Sequence, residues 1–206
     1  MGRTSDARVR LVTTAMDLIC ARGYTSVGVQ EICARAGVNK GSFYHFFPSK
    51  QELALEVIEA YAHQAQEMWE GVMASGRSPL ERMERLFDAM YDAQVSRVGT
   101  AGWMCGCPVG NLALELSGQD DRIQQKLRDV LDGWSQAVAC MLREATSHGD
   151  LPALDADTTA QSVIAYVEGA VLLAKTHNNP DILKQLAPGA VHLVEAAAHA
   201  RLRQLV

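Results

Sequence analysis

The chain has 206 residues, of which 48% are hydrophobic and 21% charged, with a formal net charge of −5. That length suits a small unit beside a second body with its own core, or one larger domain. No apolar run reaches the roughly 18 residues of a membrane-spanning helix, and the polar stretch Met1 to Arg10 lacks the apolar core of a signal peptide, so a cytoplasmic protein with no membrane partner is expected.

The hydrophobic periodicity is helical nearly throughout, which predicts an all-α fold. Ala7 to Cys20 places Val12, Ala15, Met16 and Ile19 on one face, and Gly23 closes that helix. Gln30 to Lys50 contains a short helix with Ile32 and Ala36 on one face, a turn at Ala36-Gly37-Val38, and a second short helix capped by Asn39. Ser49-Lys-Gln-Glu52 forms a capping box that opens a long helix through Leu53, Val57, Ala60 and Tyr61. Ser78-Pro79-Leu80-Glu81 is another box, leading through Met83, Leu86, Phe87, Met90 and Tyr91. Residues 97–106 are glycine-rich and are expected to be irregular, followed by a short apolar segment from Cys107 to Leu116. A long helix from Asp121 to about Ser147 aligns Ile123, Leu127, Val130, Trp134, Val138 and Met141. Asp155 is a cap for a helix to His177, and Asn179-Pro180 starts the last one.

The charge is divided unevenly. Residues 1–50 hold seven Lys/Arg against three Asp/Glu, a net +4, whereas residues 51–206 carry a net −9. A basic head on an acidic body suits a chain that approaches phosphates with one end. The helix–turn–helix of residues 30–50 is the motif whose second helix enters a DNA major groove.

The runs Gly23-Tyr24, Val29-Gln-Glu-Ile, Ala36-Gly-Val-Asn-Lys-Gly-Ser-Phe-Tyr-His-Phe-Phe and Ser49-Lys-Gln-Glu-Leu53 resemble the N-terminal domain of the TetR family of transcriptional regulators. The resemblance spans roughly residues 5–55. It implies a three-helix DNA-binding domain at residues 1–50 and a helical effector-sensing and dimerisation domain at 51–206. It also implies a homodimer through the last two helices that represses from a palindromic double-stranded operator. Where family members hold Thr or Ser at the start of the second helix, this chain has Val27-Gly28.

Gly28, Asn39, Lys40, Gly41, Ser42, Tyr44, His45 and Lys50 are the candidate DNA-binding residues. Asn39 caps the recognition helix, and Gly41 lets DNA approach. Lys40 and Ser42 are within reach of base edges or phosphate, and Tyr44 and His45 lie toward the groove. Lys50 stands where family members hold a phosphate. Phe43 and Phe47 read as the core of the head.

In the body, Met104-Cys-Gly-Cys-Pro-Val-Gly-Asn-Leu-Ala-Leu-Glu115 and a lysine near the end of the penultimate helix, Lys175, resemble the electrophile-responsive NemR-type branch. Pro108 predicts a helix beginning just after Cys107, and a helix N-terminus favours thiolate. Cys107 and Lys175 are therefore the candidate effector-sensing pair. A buried, inert Cys107 is the competing reading, and a helix-end role competes for Lys175.

The five cysteines at 20, 33, 105, 107 and 140 are expected to be thiols, with Cys20, Cys33 and Cys140 packed in the core. Phe87, Met90, Tyr91, Trp103, Met104, Asn111, Leu112, Trp134, Val138, Tyr166 and Glu168 are candidates for an apolar ligand pocket, with Asn111, Tyr166 and Glu168 as polar anchors. Plain core is the alternative for each. The small and apolar residues Ala160, Val163, Val167, Gly169, Ala170, Leu186, Ala190, Val194, Ala197 and Ala198 suit either a dimer interface or internal packing.

No cofactor and no metal ligand set is expected. The function read here is a DNA-binding regulator, not an enzyme, released from its operator by a small-molecule or thiol-reactive effector. The alternatives are a repressor induced by a reversibly bound apolar ligand, and a helical enzyme using Cys107 with Lys175 or His177.

Overall fold

The computed structural model describes residues 2–75 and 78–204, with the side chains of 2–5, 100, 101 and 201–204 left aside. Among the described residues there are nine helices and no strand: α1 (Gly2–Arg22), α2 (Val29–Ala36), α3 (Lys40–Phe46), α4 (Lys50–Met73), α5 (Pro79–Ala101), α6 (Pro108–Leu116), α7 (Asp121–His148), α8 (Ala156–Thr176) and α9 (Asp181–Gln204). None of the described helices is long and apolar enough to cross a membrane.

The chain divides into two compact units: Met1–Ala65 with Cys107–Asp129, and Gln66–Gly106 with Val130–Val206. In the first unit, α1 buries Leu11, Ala15, Leu18 and Ile19, a stripe at three- and four-residue spacing. Helix α2 packs on α1, and α3 packs on both. Val27, Ile32 and Phe43 are fully buried among them, and Leu53, Val57, Leu112, Ile123 and Leu127 complete the core of this unit. The turn between α2 and α3 is made by Gly37 at φ +63°, whose N–H returns to the carbonyls at the end of α2. A side chain there would be strained, which is why glycine holds this corner.

In the second unit, α9 packs along both α5 and α8. Leu183, Ala187, Ala190, Val194 and Ala198 form its buried stripe, and Met83 and Phe87 of α5 and Ala160, Val163 and Ala170 of α8 are buried as well. Most of the small residues that suited a dimer interface are therefore consumed by internal packing of one chain. Small side chains let helix axes come close within a protomer as readily as between two.

Local signals set the helix starts. Ser78 and Glu81 close a reciprocal capping box, with Pro79 in the first turn, and Asp155 accepts the N–H of Thr158 at 3.2 Å. Ser49 Oγ accepts the N–H of Glu52 at 3.2 Å, while the Glu52 carboxylate pairs with Arg122 at 2.6 Å. The irregular stretch expected at 97–106 is shorter than that: α5 continues to Ala101 and stops at Gly102, in the left-handed region at φ +83°. One helical glycine, Gly99, weakens a helix without ending it; the stop comes where the backbone reverses hand.

Candidate nucleic-acid interface and effector-sensing elements

Helix α3 has seven residues, too few to be stable by propensity alone. Two features hold it. Asn39 Oδ1 accepts the N–H of Ser42 at 2.7 Å, and Phe43 is fully buried on the inner side with its ring 5.8 Å from that of Phe47. With Phe43 anchored, Lys40, Gly41, Tyr44 and His45 stand exposed and Ser42 is half-buried. Tyr44 is 48% exposed, large for an aromatic ring, and its edge rests on Phe43 at 5.1 Å. The Lys40 ammonium lies 5.9 Å from the Tyr44 centroid. Gly41 also serves the cap, because a Cβ there would lie 3.3 Å from Asn39 Oδ1. At the start of α2, Gly28 is extended, provides no side-chain cap, and has open space where a Cβ would sit.

Lys50 does not point freely into solvent. Its Nζ donates to the Tyr24 carbonyl at 2.5 Å and lies 3.9 Å over the Tyr24 ring. Burial lowers the Lys50 pKa, opposed by the nearby Glu115 carboxylate. Glu115, on the last turn of α6, accepts the N–H groups of Tyr24 and Thr25 at 2.7 Å each. Burial works against its ionised form, but hydrogen bonds from Thr25 and Tyr24 and the charge of Lys50 outweigh that, so its pKa is lowered.

Cys107 is the N-cap of α6, with Pro108 opening the helix as its sequence predicts. Its Sγ accepts the N–H of Gly110 at 3.3 Å, and the residue is 7% exposed and outside any disulfide. Asn111 and Leu112 follow on α6, half-buried and fully buried. Cys33 and Cys140 are likewise outside any disulfide, but Cys140 is exposed, not packed. Cys20 and Cys105 are disulfide-bonded, against the expectation of five thiols; spacing along a chain does not report which sulfurs are oxidised.

In the second unit, Lys175 on the last turn of α8 lies against Gly106, which holds φ +76°. Gln94 of α5 donates to the Gly106 carbonyl at 3.1 Å, and its own Oε1 is buried without a partner. Asn178 accepts the N–H of Met104 at 2.8 Å and donates to the Gly102 carbonyl at 3.3 Å. The loop after α5 is thereby fastened to the end of α8. Among the candidate pocket residues here, Phe87, Met104 and Val138 are buried, and Met90, Tyr91, Trp134, Tyr166 and Glu168 are half-buried. Phe87 and Tyr166 meet edge to face at 6.4 Å. The Tyr166 hydroxyl donates to the Leu186 carbonyl at 2.8 Å, tying α8 to α9. Trp103 is 52% exposed and stands outward.

A family model described as bacterial regulatory proteins of the tetR family matches residues 11–57. A second, the LmrA/YxaF-like transcriptional regulator C-terminal domain, matches residues 79–188. The chain belongs to the TetR family of transcriptional regulators.

It is similar to the transcriptional regulator AcuR of Cereibacter sphaeroides, 37% identical over 86% of this chain and 80% of that one. It is also similar to the repressor NemR of Escherichia coli, 30% identical over 70% and 69% of the two chains. Among solved structures, a regulatory protein TetR from Rhodobacter sphaeroides superposes with a TM-score of 0.82 at 31% identity, covering 91% of this chain and 98% of that one.

Within this TetR-family chain, two residues carry geometry that sequence reasoning passed over. Glu115 was visible only as an acid closing the Gly-Asn-Leu-Ala run, and its partners are backbone N–H groups 91 and 90 positions away. Gln94 had no signal beyond being a polar residue two turns from Phe87 on a helix with an apolar stripe.

Proposed function

We propose that the chain is a repressor whose head, residues 1–50, reads a palindromic operator, and whose body, 51–206, responds to an effector and forms a homodimer. Lys40, Gly41, Ser42, Tyr44 and His45 present the DNA-contacting side of α3, with Asn39 fixing its first turn. Gly28 and Lys50 lie beside phosphates. Two-fold pairing through the outward faces of α8 and α9, where Leu172 and Leu173 stand 54% and 49% exposed, places two recognition helices on successive major grooves about 34–36 Å apart.

The effector acts through Cys107 in this reading, with Lys175 as an effector-responsive cation of the body. The observation that carries it is the Cys107 thiol, outside any disulfide, at the N-cap of α6 and in the same compact unit as α1, α2 and α3. Adding a group to the sulfur of a residue that is 7% exposed cannot leave the first turn of α6 where it is. The effector shifts the population toward a form that binds DNA poorly. NemR, a relative, is named as a repressor and its solved form as reduced, which accords with a thiol-dependent state.

Fluorescence anisotropy on DNA upstream of the protein's own gene, before and after N-ethylmaleimide, tests this. Loss of binding in the wild type but not in Cys107→Ser is the expected result; binding unchanged by the reagent refutes the thiol switch. The second reading, a reversibly bound ligand, is favoured by Gln94, whose buried Oε1 lacks a donor on the same helix that carries Phe87 and Tyr91. Induction that survives in Cys107→Ser supports it.

A further inference from the structure

The Tyr24–Thr25 segment joins α1 to α2 and is held from two sides. Glu115 accepts both of its N–H groups at 2.7 Å. Lys50 takes the Tyr24 carbonyl at 2.5 Å. The turn is also fitted around the carboxylate: a Cβ on Gly23, which holds φ +82°, would lie 3.1 Å from Glu115 Oε2. Two adjacent N–H donors call for an acceptor with two oxygens, and an ionised carboxylate supplies both, with charge assistance. A glutamine in its place has one oxygen and would turn an NH2 group toward the second donor.

We propose that Glu115 is a positioning residue for DNA binding. With Lys50 opposite, its carboxylate fixes the α1–α2 turn, and through α2, which packs on α3, it sets where the recognition helix sits. Glu115 touches no DNA in this role. The proposal assigns Lys50 to the same clamp.

The sign of the effect separates positioning from general electrostatics. Removing a negative charge from a DNA-binding protein tightens its hold on a polyanion. Removing the clamp loosens it. The inference rests on α3 as the DNA-contacting helix, which Tyr44→Ala on the same duplex tests separately.

The experiment compares full-length wild type, Glu115→Gln and Glu115→Ala on a duplex selected from random DNA by the wild type, with amide hydrogen exchange on each protein. Expected is a loss of affinity on the order of tenfold in Glu115→Gln, the equivalent of one charge-assisted hydrogen bond. The dependence of binding on salt should keep its wild-type slope, because no phosphate contact is removed. The Tyr24 and Thr25 amides should exchange faster while those of α8 and α9 exchange as in the wild type, which shows the variant folded. Equal or tighter binding by Glu115→Gln overturns the proposal, as does unchanged exchange at Tyr24 and Thr25.

Discussion

Lys175 occupies the space that a side chain on Gly106 would need: an added Cβ would lie 2.8 Å from Lys175 Cδ, at a backbone φ of +76°. Gly106→Ala therefore meets two costs, a left-handed backbone and a displaced lysine stem. Together they should lower stability by roughly 1–2 kcal/mol, read as an earlier urea midpoint. The double variant Gly106→Ala/Lys175→Ala should recover only the steric share. Recovery to the wild-type midpoint would show that the backbone conformation costs alanine nothing.

Gly28 is a place where the chain can be improved. Its φ of −91° and ψ of 151° suit any residue, and open space surrounds the missing Cβ. Gly28→Thr should gain a few tenths of a kcal/mol by capping α2, and operator binding should tighten as the hydroxyl meets a phosphate. A higher melting temperature with unchanged operator affinity would separate the cap from the contact.

Two neighbouring aromatic residues of α3 should behave oppositely. Tyr44→Ala removes a ring that is 48% exposed, so operator affinity should fall while thermal unfolding stays near the wild type. Phe43→Ala empties a fully buried site and should cost about 3–5 kcal/mol, seen as loss of the head's cooperative unfolding. Wild-type operator binding by Tyr44→Ala would mean that α3 is not the reading helix.

Glu115 makes a pH prediction. Its folded-state pKa is lowered from the usual 4.5 by hydrogen bonds and by Lys50, which prevail over burial. The stability it contributes is then fully present above pH 4.5 and is lost as pH falls through the lower folded-state value. The stability difference between wild type and Glu115→Gln, followed by denaturant unfolding across pH, should be level at neutral pH and shrink only in acid. The Lys50 shift, lowered by burial, acts on the alkaline side and leaves that limb alone. A difference that varies between pH 6 and pH 8 would contradict this account.

The helices and their caps were legible along the chain because their causes are local. Apolar residues at three- and four-residue spacing build α1, α7 and α9, and Asn39, Ser78 and Asp155 each reach an N–H only three positions away. The outward set of α3 followed from the same logic, since burying Phe43 leaves Tyr44 and His45 on the other side. The extent of α5 is not legible in the same way: glycine content suggests a loop from residue 97, whereas the break comes only at Gly102, where the backbone turns left-handed.

By itself, then, the sequence determined the all-helical class, the helix–turn–helix and the family, which rest on short-range spacing. Tertiary structure decided that Glu115 grips the Tyr24–Thr25 turn and that Gln94 meets the Gly106 carbonyl. It also decided that the small residues of α8 and α9 are largely buried within one chain. Backbone N–H and C=O groups are nearly alike at every position, so a side chain that seeks one from a distance leaves no mark in the sequence until the chain has folded.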